Sequence, residues 1–209
     1  MFPSILSRKQ IKLLEQLGFL KKYEFYLAGG TALAIQVGHR TSVDFDFYTK
    51  KSFDSKKLQR LLEKKFEKTI LLQKDEDTLI VKINDVAVSF FKYSYPLIFP
   101  LVQQGKFPSM ASKEDIAAMK IITISDRGAK RDFIDIYFLL QEFSFKKILG
   151  FVKKKYPNFN IYVALRGLTY FIDADKKQAR KLYLFYNVSW NKIKRFLVDE
   201  VKKYQKEYL

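Results

Sequence analysis

At 209 residues, 48% of them hydrophobic and 16% aromatic, the chain can bury a sizeable core in one or two domains, which excludes a disordered protein. It has no cysteine, which excludes disulfides and thiolate zinc sites, and no apolar run approaches the roughly 20 residues needed to span a bilayer. The net charge of +17 favours a polyanionic partner, and the absence of a signal-peptide pattern favours a cytoplasmic protein.

The first third of the chain alternates helix and strand patterns. Apolar residues at helical spacing predict a helix over 7–22, and a short apolar run predicts a buried strand over 25–28. A helix over 31–37 follows, closed by a glycine, and then a strand over 43–48. A further amphipathic helix is predicted over 54–66.

Three strands are predicted next, over 69–73, 78–83 and 86–91. Asn84 and Asp85 separate the last two and are typical of a tight hairpin turn. Because strands and helices do not alternate regularly, the pattern predicts an α+β fold with a mixed sheet, not a repeated βαβ array.

The rest of the chain reads as helical. Prolines and a glycine-containing loop place a boundary near 95–110, although both parts could pack as one body. Ser112 with Asp115 is an N-cap pattern for a helix over 113–125, and a charged corner follows it. Further helices are predicted over 130–142, 145–155, 161–172, 176–184 and 189–208.

Two features near the start carry the chemistry. Gly29 and Gly30 lie between a strand and a helix that opens at Thr31, where backbone amides favour a phosphate. Asp44 and Asp46 alternate on the next strand, so their carboxylates share a face about 6–7 Å apart and repel each other unless a cation lies between them. Each feature alone is weak. Together they predict neighbouring phosphate and metal sites.

Positive charge is concentrated at the end of the chain, where residues 141–209 carry 16 Lys and Arg against six Asp and Glu. Such a field attracts nucleic acid, nucleotides or an acidic protein, and the alternative is a set of solvated helix faces. The same region holds aromatic residues that form a helical core in most proteins and stack on bases in some. These are Tyr156, Phe159, Tyr162, Tyr170, Phe171, Tyr183, Phe185, Tyr186 and Trp190.

A family resemblance follows from these motifs. Gly-Gly-Thr at 29–31 followed by Asp-Phe-Asp at 44–46 is similar to the signature of polymerase-β-type nucleotidyltransferases. More narrowly, residues 27–47 resemble the AbiEii/AbiGii toxin family. So does the block over 112–135, with a helix Lys followed by Lys-Arg-Asp-x-x-Asp. The two blocks occur in the family's order, and the resemblance covers roughly residues 25–140.

The resemblance implies a nucleotidyltransferase core over 1–100 and a helical region over 101–209 that completes the active site and carries a basic surface. It implies a nucleoside triphosphate (NTP) as substrate, Mg²⁺ as cofactor and a toxin of an antiphage toxin–antitoxin pair, with a cognate antitoxin as partner. Some relatives attach nucleotides to the acceptor end of tRNA, so RNA, and the 3′ end of tRNA in particular, is the expected acceptor.

The resemblance also implies roles for residues of the first block. Gly29, Gly30 and Thr31 would hold the triphosphate, and Asp44 and Asp46 would ligate the metal and act in catalysis.

Three residues between these motifs carry open alternatives. Arg40 would neutralise the γ-phosphate, or form a salt bridge with Asp44 or Asp46. Ser42 would contact phosphate or cap the turn. His39, the single histidine, is expected to be structural.

In the second block the resemblance implies that Lys120 contacts a phosphate and that Lys130 and Arg131 contact the nucleotide. Asp132 or Asp135 would act as a base or as an orienting acid. Read without the resemblance, the same acids suit the first turn of a helix and ion pairs with nearby arginines.

One departure from the wider superfamily concerns a third carboxylate, which two metal ions usually require. It is expected on the strand over 86–91, where Ser89 stands in its place, and Asp85 lies in the turn. Three hypotheses therefore remain: a nucleotidyltransferase acting on RNA, a degenerate member that binds nucleotide or RNA without catalysis, and a transferase that modifies protein.

Overall fold

The computed structural model describes residues 1–176 and 183–208, in which a five-stranded sheet is followed by a helical half. The elements of the sheet half are α1 (Arg8–Gln16), β1 (Tyr26–Ala28), α2 (Gly29–Val37), β2 (Phe45–Thr49), α3 (Ser55–Lys65), β3 (Thr69–Asp75), β4 (Thr78–Ile83) and β5 (Val86–Lys92). Those of the helical half are α4 (Lys113–Asp126), α5 (Lys130–Leu139), α6 (Phe145–Lys155), α7 (Ile161–Thr169), α8 (Ile172–Lys176) and α9 (Trp190–Tyr208). The predicted α+β class is confirmed.

The sheet has the strand order β1-β2-β5-β4-β3, with β2 and β5 parallel and the other neighbours antiparallel. The hairpin predicted between β4 and β5 is confirmed, since Asn84 and Asp85 both take the positive φ angles that a tight two-residue hairpin turn requires, 48° and 70°. In the register of the sheet, Asp46 on β2 lies between Ala28 of β1 and Ser89 of β5. This places Asp46 at the centre of one sheet face.

The linker between the two halves adds to the sheet. The Leu27 amide donates to the Ser109 carbonyl at 2.8 Å, and the Ala111 amide donates to the Leu27 carbonyl at 2.8 Å. A buried ion pair fixes the linker further. Lys155 Nζ lies 2.7 Å from Asp115 Oδ1 and donates to the Pro96 carbonyl at 2.6 Å, and the Ile98 amide donates to Asp115 Oδ1 at 3.1 Å. The buried apolar side chains form one cluster that runs from the sheet into the helices.

Helix α4 is the centre of the helical half and packs against α2, α5, α6 and α7. It begins at the predicted N-cap, where the Ser112 hydroxyl accepts a hydrogen bond from the Asp115 amide at 3.0 Å. None of the described helices combines the length and apolar character needed to cross a membrane. The α2–α4 and α2–α5 contacts bring the glycine corner of the sheet half against the second sequence block.

Several element boundaries differ from the prediction. Helix α2 begins at Gly29 instead of Thr31, and α5 ends at Leu139 instead of residue 142. The helix predicted over 7–22 ends at Gln16 and continues as 3₁₀ turns over Leu17–Tyr23. The acidic strand begins at Phe45, two residues later than predicted, so Asp44 lies just before it. The helix predicted over 161–172 is interrupted after Thr169.

The helix predicted over 176–184 lies mostly outside the described residues, since 177–182 are not among them. Its last two positions are not helical. Leu184 forms an antiparallel bridge with Arg40, and the Thr41 amide donates to the Tyr183 carbonyl at 3.0 Å. Local spacing predicts a helix, but pairing with a distant loop overrides that preference.

Candidate active site

The glycine corner lies where β1 meets α2, and it lies against the side chains of Arg40 and Asp46. Gly29 has a φ of +65°, and a Cβ atom on it would lie 3.0 Å from Asp46 Oδ2. A Cβ atom on Gly30 would overlap the guanidinium of Arg40. Glycine is therefore required at both positions for the close approach of these side chains. The structure brings the corner and Asp46 together, as the sequence predicts.

Asp44 and Asp46 are two residues apart and half-buried, with the apolar side chain of Phe45 fully buried between them. Burial and the neighbouring charge of Asp44 raise the pKa of Asp46. The cations Lys120, Arg131 and Arg127 act in the opposite direction. Asp46 on β2 and Asp44 just before it thus form a pair of like charges, and cations of the α4–α5 corner lie close enough to act on Asp46.

The predicted phosphate contacts Thr31 and Ser42 hold the acidic loop in place. The Thr31 hydroxyl donates to the backbone carbonyl of Asp44 and lies 2.7 Å from the Ser42 hydroxyl. Gln10 Nε2 donates to the Ser42 carbonyl at 2.9 Å. These bonds tie the loop before β2 to α1 and α2, which fixes where Asp44 lies.

Five charged or polar residues form what we call the buried ion cluster: His39, Arg40, Lys120, Asp132 and Asp135. Arg40 contacts Asp135 with two nitrogens, Nε at 2.7 Å and Nη2 at 2.9 Å. His39 Nε2 lies 2.8 Å from the same carboxylate. Lys120 Nζ lies 2.7 Å from Asp132 Oδ1 and 2.6 Å from Asp135 Oδ2. The cluster joins the loop after α2 to helices α4 and α5.

This cluster shows that the salt-bridge alternative for Arg40 named the wrong partners, whereas the phosphate contacts predicted for Arg40 and Lys120 stay predictions. The salt-bridge partner of Arg40 is Asp135, not Asp44 or Asp46, and the guanidinium is only 2% exposed. Lys120 is paired with two carboxylates and 5% exposed. The expected structural place of His39 agrees with its contacts, and its Nδ1 is buried without a hydrogen-bond partner among the described residues.

Asp132 and Asp135 share a helix face, as the sequence predicts, but both are fully buried. Burial alone would raise the pKa of Asp135, yet Arg40 and Lys120 hold it well below its usual range. In this structure both carboxylates bind cations of the buried ion cluster, which suits the orienting role. The role of base also stays a prediction, because catalytic hydrogen bonds often tighten only when substrate is bound.

The other cations of the second block differ in how close they lie to the acids. The charge of Arg131 is close enough to lower the pKa of Asp46. Lys130 points elsewhere, with its ammonium 5.1 Å from the centre of the Trp190 ring. Arg127 has its Nε 3.4 Å from Asp132 Oδ2 and half of its side chain exposed, and no site role was predicted for it. Its place three residues before the Lys-Arg-Asp run, in the charged corner between the two helices, is the signal that the sequence offers.

The third-carboxylate position is as predicted. The parallel register pairs Asp46 with Ser89, whereas Asp85 lies in the hairpin turn and pairs with Lys68 at 2.9 Å. The part of the chain that the structure describes holds no group of three or more acidic, His or Cys side chains suited to a metal. Mg²⁺ is commonly held by one or two carboxylates together with substrate phosphates, and Asp44 and Asp46 fit that smaller set.

The chain matches a known family over most of its length. The description "Nucleotidyl transferase AbiEii toxin, Type IV TA system" covers residues 12–107 and 107–203. An uncharacterized protein of Aquifex aeolicus (strain VF5) is 38% identical over 186 residues, 87% of this chain and 88% of that protein.

Two solved structures share the fold. JHP933 from Helicobacter pylori is 17% identical with a TM-score of 0.54, over 97% of this chain and 94% of its own. MenT4, a nucleotidyltransferase toxin of Mycobacterium tuberculosis H37Rv, is 14% identical with a TM-score of 0.51, over 92% of this chain and 82% of its own. The mixed sheet with its flanking helices is thus a nucleotidyltransferase fold, and the chain belongs to the AbiEii family of nucleotidyl transferase toxins of type IV toxin–antitoxin systems.

Proposed function

We propose that this protein transfers a nucleotide from a nucleoside triphosphate to RNA, with the 3′ end of tRNA as the expected acceptor. The observation that carries the proposal is the half-buried Asp44–Asp46 pair against the glycine corner, faced by Lys120, Arg127 and Arg131. In such a transfer the acceptor hydroxyl attacks the α-phosphorus, the bond to the β-phosphate breaks and pyrophosphate leaves.

Positioning and charge neutralisation dominate this chemistry, and the chain supplies groups for both. The corner before α2 and the side chains of Arg127 and Arg131 are suited to an anionic triphosphate. Lys120, Asp132 and Asp135 hold the α4–α5 corner in register with the acids, and we assign them an orienting role. Thr31, Arg40 and Ser42 act in the same way on the loop before β2.

A divalent cation is part of the proposal. Asp44 and Asp46 would hold Mg²⁺, which when bound neutralises charge on the triphosphate and lowers the repulsion between the two acids. Two metal ions usually require a third carboxylate, and neither Ser89 nor Asp85 supplies one. We therefore propose a single ion that is shared with substrate phosphates.

An RNA acceptor is supported by the charge of the chain, since residues 141–209 carry a large excess of Lys and Arg. Membership of a toxin family of type IV toxin–antitoxin systems supports a cognate antitoxin as partner. We propose that the antitoxin opposes this nucleotide transfer in the cell.

The test uses the purified chain with Mg²⁺, total RNA and each of the four triphosphates, labelled in turn at the α- and the γ-phosphate. We expect α-label in RNA with one or more triphosphates and γ-label only in pyrophosphate. Asp46→Asn should abolish the transfer, whereas Asp85→Asn, an exposed acid in the hairpin turn, should keep it. Label in a ribonuclease-resistant protein band would instead identify a protein acceptor.

A second candidate is favoured by Ser89, which leaves the acid pair without a third carboxylate. In this case the chain binds triphosphate or RNA without catalysis. Calorimetry that shows Mg²⁺-dependent triphosphate binding, together with no transfer of α-label to RNA or protein, would establish this alternative and end the enzymatic proposal.

A further inference from the structure

A short extended segment crosses the loop that leads to the acid pair. We call residues 183–188 the strap, and it runs directly into α9. The Thr41 amide donates to the Tyr183 carbonyl at 3.0 Å, and the Phe185 amide donates to the His39 carbonyl at 3.0 Å. Leu184, between them, forms the bridge with Arg40. The strap is therefore fixed by backbone pairing to the same loop that the buried ion cluster holds.

The strap presents three aromatic rings to solvent, and one of them, Tyr186, also packs on Phe138 with 5.2 Å between ring centres. The Tyr183 and Phe185 side chains are each 56% exposed, whereas Leu184 packs on the core. Side chains two residues apart on an extended segment share a face, so the two rings lie on the same side of the strap. Single exposed apolar residues need no explanation, but two adjacent rings on a fixed backbone beside a candidate site do.

The strap pairs with the loop that leads to Asp44. Thr41, which pairs with the strap, precedes Asp44 by three residues, a distance of at most about 10 Å along the chain. An extended nucleotide spans a comparable length, so a base on the strap and a hydroxyl near Asp44 can belong to the same strand end.

Four cations of the α4–α5 corner and α9 lie beside the acids or the Trp190 ring, and we call Arg127, Lys130, Arg131 and Lys194 the basic track. Arg127 and Arg131 act on Asp46. Lys130 and Lys194 lie 5.1 and 5.7 Å from the centre of the Trp190 ring, which follows the strap in the chain, and Lys194 also pairs with Asp175 at 3.1 Å. A track of this kind suits successive phosphates of a polynucleotide, which a single triphosphate does not supply.

We propose that Tyr183 and Phe185 form a stacking platform for an unpaired base at the end of a single-stranded nucleic acid, whose phosphates follow the basic track. The inference rests on the proposed function and names the part of the chain that holds the acceptor. Stacking tolerates any base, so the platform selects for a single-stranded end and not for a sequence. A base held in a duplex has no free face to offer.

The test measures binding by fluorescence anisotropy at one fixed salt concentration. The probes are a labelled 12-nucleotide RNA and a blunt duplex of the same sequence. The double variant Tyr183→Ala/Phe185→Ala should weaken binding of the single strand by about 10-fold or more, with little change for the duplex. The aromatic exchange Tyr183→Phe/Phe185→Tyr should retain the wild-type affinity. Tyr23→Ala, which removes a ring of similar exposure in the 3₁₀ turns before β1, serves as the matched control.

The platform is overturned if the double variant binds the single strand like wild type, or if both probes weaken equally. It is also overturned if affinity for the free triphosphate falls by the same factor, because the rings would then hold the donor base. Labelled transfer separates this result from the proposed function. If the wild-type chain binds single strands through the rings but transfers no nucleotide, the platform stands and the enzymatic proposal is refuted. If the double variant binds RNA with normal affinity and its transfer is unchanged, the platform is refuted and the proposed function is not.

Discussion

Arg40 and Asp135 form a two-point ion pair in which Nε and Nη2 of the guanidinium lie 2.7 and 2.9 Å from the two carboxylate oxygens. The two residues are 95 positions apart, and each comes from a different sequence block. Their pairing fastens the loop before the acidic strand to helix α5, so the geometry of the acid pair depends on a contact outside the sheet.

Replacement of Arg40 is expected to destabilise the fold. Arg40→Met leaves Asp135 buried with fewer cations, which costs about 3–5 kcal/mol and lowers Tm by roughly 6–20 °C for a chain of this size. Thermal and urea unfolding measure the effect, and Lys51→Ala, which breaks an exposed pair with Glu24, should change stability by less than about 1 kcal/mol. An unchanged Tm with lost triphosphate affinity would instead assign Arg40 to phosphate binding.

Neutralising the acid pair should have the opposite effect on stability. Burial and the charge of Asp44 oppose ionisation of Asp46, so Asp46→Asn should keep or raise Tm by a few degrees in the presence of EDTA. The same variant should lose the stabilisation that Mg²⁺ and a triphosphate together give to the wild type. Differential scanning fluorimetry with and without both ligands tests this, with Asp85→Asn as control. A large fall in Tm would show that Asp46 is a structural acid.

Acid should weaken the fold through His39 first. Burial lowers the pKa of His39, so below about pH 6.5 the unfolded chain takes up a proton that the folded chain does not. Its contribution to stability is complete above about pH 6.5 and decreases as the pH falls toward the folded pKa, by at most about 1.4 kcal/mol per pH unit. Urea unfolding between pH 7.5 and 5 should show that the free energy of unfolding depends less steeply on pH in His39→Gln than in the wild type. Equal slopes in the two proteins would refute the prediction.

A second acid-sensitive contribution comes from Asp135. Although burial opposes it, the charges of Arg40 and Lys120 keep the folded pKa well below the unfolded value of about 4. Its contribution is therefore complete above about pH 4 and is lost as the pH falls below that value. Between pH 5 and pH 3, urea unfolding should show a further decrease in the free energy of unfolding, and the His39→Gln variant should show the same decrease. A free energy that does not change in this range would contradict the assignment.

A third carboxylate should convert the acid pair into a stronger metal site. Ser89 lies opposite Asp46 in the sheet, so Ser89→Asp adds a like charge that should lower Tm by several degrees in EDTA. Added Mg²⁺ should restore more stability to this variant than to the wild type. Ser94→Asp, in the exposed loop after β5, is the control and should show no Mg²⁺ effect. Equal Mg²⁺ responses in Ser89→Asp and wild type would place position 89 away from the metal.

Local features of the sequence could be predicted because their causes are local. The hairpin at Asn84 and Asp85 follows from turn chemistry, and the end of α2 follows from Gly38 in the left-handed conformation. The proximity of Asp46 to the glycine corner follows from the short segment between them. These features depend on backbone preferences that act over a few residues.

The partner of Arg40 and the strap could not be predicted in the same way. The Arg40–Asp135 pair depends on how α5 packs against α2, for which neither segment carries a local signal. Residues 183 and 184 have helical spacing, but hydrogen bonds to His39 and Thr41 keep them extended. Long-range pairing decides both cases, and a single sequence does not record it.

The buried ion cluster limits how this chain can be recombined with others. The guanidinium of Arg40 lies in the N-terminal half and the carboxylate of Asp135 in the C-terminal half, so a crossover near residue 100 separates charges that neutralise each other. A chimera that keeps only one half of this chain should therefore fold only where the foreign half supplies the opposite charge at the matching place.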